Sequence, residues 1–178
     1  FPYLQPVTAR GVRRSPIHEQ LKARGACFGE TSGWERANWF APEGVEPRYE
    51  YSWKRQNWFE YAREEHLAVR NDVGLFDMTS FGKIRVEGRD AVSVMNRICG
   101  NEIDVEVGRL VYTQFLNNKG GIECDCTVTR LSETAFLIVT PGATLMRDMA
   151  WLKRHTSEEA HVVYTDVTAG EVVLCLMG

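Results

Sequence analysis

Apolar residues recur at helical spacing before about residue 74 and in strand-like runs over much of the remaining chain. Phe1–Arg14, with two prolines and no helical period, reads as extended. Ser15-Pro16 predicts a helix start, Ser as N-cap and Pro in the first turn, and Gly25 closes it. Ala41–Pro47 (APEGVEP) reads as a linker. Asn57 then predicts the cap of a second helix running to about Asp72, with Phe59, Ala62, His66 and Val69 on one stripe and Gly74 at its end.

Beyond that point, short strands are predicted at Leu75–Met78 and Lys83–Glu87, the latter with Ile84 and Val86 on one face. A helix follows over Ala91–Cys99. Val111–Val128 reads as two strands joined through Asn117-Asn118-Lys119-Gly120-Gly121, since Asn and Gly accept the positive φ of a hairpin turn. Ala135–Thr140 is an apolar strand. A helix from about Ala143 to His155 carries Leu145, Met149 and Leu152 as one stripe, and His161–Asp166 and Glu171–Met177 read as strands. Helices and strands interleave without a regular βαβ spacing, which predicts an α+β fold of antiparallel or mixed sheets with flanking helices.

The hairpin holds the candidate chemistry. Alternation puts Glu123, Asp125 and Thr127 on one face, opposite Cys124, Cys126 and Val128. The cysteine face is apolar enough for a core, so Asp125 faces either solvent or a cleft. Tyr112, on the partner strand, either packs in the core or lines a cavity, where its ring stacks and its hydroxyl donates. Thr79 and Ser80 supply hydroxyls or shape a turn. Cys124-x-Cys126 has the wrong spacing for a zinc knuckle, with no further ligand nearby, so no metal site is expected. His66 reads as a satisfied helical histidine.

Composition narrows the function classes. With 25% charged residues, 44% hydrophobic residues and a net charge of −3, the chain has no basic stripe to offset phosphates, and nucleic acid is not expected as a partner. No apolar run approaches the roughly 20 residues of a membrane span, and no signal peptide is visible. Five scattered cysteines read as free thiols of a reducing compartment. Aromatic residues crowd Trp34–Tyr61, interspersed with acidic ones, which favours a domain-docking surface, centred on GWERANWF, over nucleic-acid binding. A start at Phe1 and a stop at Gly178, directly after the Val172–Met177 run, predict a piece of a longer polypeptide.

Gly11–Phe40 resembles the segment that joins the flavin half to the folate half in dimethylglycine and sarcosine dehydrogenases. The rest resembles the N-terminal part of the folate-binding aminomethyltransferase domain, the fold of the glycine-cleavage T-protein. The matching pieces are His66–Asp77, Gly88–Ala91, Asn101–Asp104, Gly108, Val111–Asn117 and Gly120–Val128. The resemblance implies a connector over residues 1–47 and a partial folate domain over 48–178. It implies tetrahydrofolate in this part, with Tyr112, Phe81, Thr79 and Asp125 around the pterin and Asp125 as the catalytic carboxylate. FAD and a methylated amine substrate belong to an upstream half on which this chain packs.

T-proteins carry two consecutive acidic residues where this chain has Cys124 and Asp125, so only the second acid is kept. The implied function is that of a fragment of an FAD-dependent N-methyl amino acid demethylase whose folate part accepts the one-carbon unit. A regulatory protein like the regulatory subunit of pyruvate dehydrogenase phosphatase is the alternative, and a stand-alone aminomethyltransferase the third. The expected compartment is cytoplasmic in a bacterium and the mitochondrial matrix in a eukaryote.

Overall fold

A computed structural model describes residues 4–178. Helix α1 (His18–Ala23), strands β1 (Ala26–Thr31) and β2 (Trp34–Phe40), helix α2 (Phe59–Asn71) and strand β3 (Gly74–Asp77) precede β4 (Gly82–Glu87). Then come α3 (Ala91–Ile98), β5 (Leu110–Leu116), β6 (Ile122–Ser132), β7 (Ala135–Thr140), α4 (Leu145–Arg154), β8 (Val163–Asp166) and β9 (Leu174–Met177). The α+β class is the one the sequence predicts. Contacts divide the chain into a first unit, running to Ser80 and taking in Val172–Gly178, and a second unit, Phe81–Glu171. Neither cut falls at the boundary read at residue 47, because residues on both sides of that linker share one small core.

In the second unit the alternating segments form an antiparallel sheet in the order β5-β6-β7-β4-β8. One face carries Ile84, Val86, Val128, Phe136 and Ile138, all at most 1% exposed. Helices α3 and α4 seal it with Met95 and Leu152, both fully buried. The predicted stripe on α4 is the face that packs, Leu145 and Leu152 buried and Met149 against the same cluster.

The first unit departs further from its sequence pattern. β1 and β2 form an antiparallel hairpin that alternation did not announce, since Trp34, Trp39 and Phe40 fall on both parities. Its turn is Ser32-Gly33, both with positive φ, as a two-residue hairpin turn of the mirror-image type requires. Trp39, 1% exposed, packs with Cys27 and Ala41 and stacks on Tyr61 of α2 with ring centroids 5.6 Å apart. Trp34 and Glu35 are buried as well. Much of GWERANWF therefore packs within the first unit, with Trp34, Glu35 and Trp39 kept from water by their own chain, while Asn38 stays exposed and Arg36, Ala37 and Phe40 are half-buried.

Two caps also differ. Helix α1 starts at His18 after Ile17, without a side-chain cap, and Ser15 contributes only its carbonyl, to the His18 N–H at 3.1 Å. Helix α2 starts after Trp58; the Asn57 amide instead donates to the Arg48 carbonyl and accepts from the Glu50 N–H, tying down the preceding loop. Gly25 does end α1, at φ +84°, where a Cβ would sit 2.2 Å from the Ala41 carbonyl oxygen. Gly74 opens β3 rather than capping α2.

Candidate functional site

The β5–β6 hairpin is set by its turn. Asn117 Oδ1 accepts from the N–H groups of Lys119 and Gly121, and the Asn117 N–H donates to the Gly121 carbonyl at 2.9 Å. Gly120 takes φ +77°. This closure, with one irregularity at Phe115/Leu116, fixes the register that pairs Tyr112 with Thr127 and Gln114 with Asp125. Paired residues share a face, so Tyr112, Gln114, Asp125 and Thr127 stand together on the side away from the core.

On that face the Tyr112 hydroxyl donates to Asp125 Oδ2 at 3.1 Å. Tyr112 is 56% exposed, and Asp125 is exposed as well. The structure thus resolves the two openings left by the sequence: Tyr112 does not pack in the core, and the Asp125 face is open. Behind Tyr112 the β5 backbone is held by the loop after α3. Asn101 Nδ2 donates to the Tyr112 carbonyl at 2.7 Å, its N–H donates to Thr113 Oγ1, and the Gly100 N–H reaches the Gln114 carbonyl.

The opposite face explains the departure at Cys124. Cys124 and Cys126, 3% and 4% exposed, lie in the core with Thr113 and Phe115. Cys124 Sγ rests 3.4 Å from Thr140 Oγ1, whose hydroxyl donates to the buried Asp148 carboxylate. Neighbouring thiols are held protonated: hydrogen bonding to Cys124 and burial raise Cys126, and burial pushes Cys99 up to about 12. A thiol in place of the first acid therefore sits on the core side and leaves the Asp125 face intact.

The other expected residues are not on these two strands. Phe81, half-buried, is the residue just before β4, two strand spacings (roughly 10 Å) from the strand of Asp125. Thr79 belongs to the first unit, is 3% exposed, and its N–H donates to Asp77 Oδ1 at 3.1 Å, which is the turn-shaping arrangement. Sequence reading missed Lys83. It is fully buried, and its register through Val139 and Thr127 to Tyr112 puts it on the outer face of the sheet. The signal was present in the parity of Ile84 and Val86, which assigns Lys83 to the other side.

A carboxylate and a phenol, hydrogen-bonded on an open sheet surface beside Thr127 and Leu110, suit a flat ring bearing N–H donors. The GCVT N-terminal domain model matches residues 17–178, and the chain belongs to that family. It is 47% identical over 178 residues to the 4-methylaminobutanoate oxidase (formaldehyde-forming) of Paenarthrobacter nicotinovorans, covering 100% of this chain and 22% of the relative. The mitochondrial pyruvate dehydrogenase phosphatase regulatory subunit of Mus musculus is 30% identical over 96% of this chain and 20% of its own. Mitochondrial sarcosine dehydrogenase of Homo sapiens is 35% identical over 74% of this chain and 17% of its own. Among solved structures, the glycine cleavage system aminomethyltransferase T of Bartonella henselae matches with a TM-score of 0.73 and 25% identity, over 94% of this chain and 41% of that one. The chain spans about a fifth of the length of these curated relatives.

Proposed function

We propose that this chain is the aminomethyltransferase-like part of a longer, FAD-dependent demethylase of N-methylated amino acids. The β5–β6 face would receive tetrahydrofolate, the acceptor of the released one-carbon unit. The observation that carries the reading is the Tyr112–Asp125 pair on an open sheet face. The 47% identity to an oxidase whose name specifies formaldehyde formation supports it, because such a reaction releases a one-carbon unit. FAD, bound in the upstream half, supplies the two-electron acceptor for oxidising the methylamine; tetrahydrofolate supplies the amine nitrogens that carry the carbon.

The residues of this chain bind and orient. Asp125 Oδ accepts a ligand N–H and is placed to take its proton. Tyr112 fixes that carboxylate through its 3.1 Å hydrogen bond and offers its ring for stacking. Phe81 adds an apolar edge. Enclosure of this face by further parts of a longer chain would keep formaldehyde from side reactions. Trp53, fully exposed, and the exposed Leu75 and Leu176 of the β3–β9 ribbon support packing of the first unit against further parts of a longer chain.

The test uses the full-length protein. Its visible spectrum is recorded anaerobically while sarcosine, dimethylglycine and 4-methylaminobutanoate are added, with and without tetrahydrofolate. Bleaching of a flavin band by one of them, with methylene-tetrahydrofolate formed, is the expected result. Absence of a flavin, or a flavin that none of them reduces, overturns the proposal. It would favour the regulatory reading, which the similarity to the phosphatase regulatory subunit supports.

A further inference from the structure

The first unit contains a second site of different chemistry, a pocket of about 450 Å³ lined by Arg10, Arg14, His18, Lys22, Phe28 and Glu35 among others. Its walls are a closed circuit of contacts. Arg10 clamps Glu35 through Nε at 2.8 Å and Nη2 at 2.6 Å, and also donates to the Phe28 carbonyl. The Gly11 N–H donates to the same carboxylate at 2.6 Å. Arg14 folds over Gly11, so closely that a Cβ there would lie 2.7 Å from Arg14 Nη2. Arg14 Nη1 and His18 Nδ1 both meet Glu19 Oε1, at 3.3 and 3.0 Å, and the His18 ring stacks on Phe28 with centroids 4.2 Å apart.

We propose that this pocket binds a small multivalent oxyanion, a phosphate or polycarboxylate. Three cations line it against one carboxylate, and that carboxylate, Glu35, is already held by three donors. Donors remain unspent: Lys22 has no ion-pair partner among the described residues, and Arg14 commits only one of its nitrogens. A merely solvated basic face would not bury an imidazole against a pocket wall, yet the His18 side chain is 9% exposed. The cations come from two elements, the strap before α1 and α1 itself, so an anion with more than one charged group engages both. Pockets of this size hold small molecules rather than single ions. The inference is independent of the folate reading.

Calorimetric titration of the full-length protein at about 0.15 M salt tests it, with inorganic phosphate, pyrophosphate and citrate as probes. Saturable binding of at least one is expected, and which one identifies the source of the charge. Arg14→Gln and Lys22→Gln should each weaken it by about tenfold. Glu19→Gln should tighten it a few-fold by releasing Arg14 and His18. These side chains are exposed, and none is part of the Arg10–Glu35 clamp, so the fold is not at stake. No saturable binding of any probe, or binding that both weakening variants leave unchanged, overturns the proposal.

Discussion

The second unit and the first are stabilised by different means. In the second, one continuous aliphatic and aromatic cluster lies under a five-stranded sheet and is closed by α3 and α4. In the first, the contiguous buried cluster is small, Cys27, Trp39 and Ala41 with Tyr49, Trp58 and Tyr61 around it, and α2 buries no residue completely. An ion pair and stacked rings do there what alkyl packing does in the second. The contrast bears on where function can be placed. A sheet whose inner face supplies the stability leaves the β5–β6 part of its outer face available for Tyr112 and Asp125, whereas the tryptophans of the first unit's aromatic motif are taken up in holding that unit together.

The largest expected effects separate the two cores. Phe136→Ala, at a fully buried position, should destabilise the second unit by about 3–5 kcal/mol, and Trp39→Ala should cost the first unit a similar amount. Hydrogen exchange read residue by residue distinguishes them. Trp39→Ala should lower protection within residues 4–80 and 172–178 and leave amides of β6 and β7 slow. Equal loss of protection in β6 and β7 would mean that the units unfold as one, and the comparison would fail.

A smaller effect is expected at the clamp. Glu35→Gln keeps the shape and removes the charge, and should cost about 1–3 kcal/mol; with Arg10 30% exposed, solvent screening puts the cost toward the lower end. The pH dependence has a defined sign. Hydrogen bonding from Arg10 holds the Glu35 carboxyl below the usual carboxylate range, outweighing its burial. A depressed folded-state pKa gives stability that is present above the unfolded value of about 4.3 and is lost as pH falls through the folded value. Urea midpoints measured between about pH 3 and pH 6 should therefore fall toward the acid end in the parent, and less steeply in Glu35→Gln. Parallel curves would show that the pair contributes nothing.

The sequence was legible where one physical signal dominated. Alternation with a buried aliphatic face marked β4 and β6, the core side of Cys124 and Cys126, and the off-core side of Asp125, because a half-buried strand has few other solutions; β7 was legible as a continuous apolar run. The β1–β2 hairpin was hidden because Trp34, Glu35, Trp39 and Phe40 are all at least partly covered, from both sides, so that no period of two survives. The Asn57 cap failed because a competing pair of hydrogen bonds to residues 48 and 50 takes up its amide. Of the candidate site, the Tyr112–Asp125 pairing follows from hairpin register, which turn chemistry sets. The burial of Lys83 depends on packing across several strands, which no local pattern encodes.

The smallest expected stability change is on the outer face, and that smallness is the point. Tyr112→Phe and Asp125→Asn each remove a hydrogen bond between exposed groups, so both should lie within about 0.5 kcal/mol of the parent in thermal or urea unfolding. If the face serves a ligand, the same substitutions act on chemistry instead. In the full-length protein, Asp125→Asn should lower the rate of methylene-tetrahydrofolate formation by about 10²–10⁴, the range lost with a general base, while flavin reduction by the methylamine stays at the parental rate. Tyr112→Phe, which only frees the carboxylate to rotate, should cost about tenfold. A stability loss above about 1 kcal/mol in either variant would make the pair a structural bridge between β5 and β6. Unchanged folate chemistry with unchanged stability would leave the pair idle, and the contrast between a stabilising inner face and a working outer one would not hold.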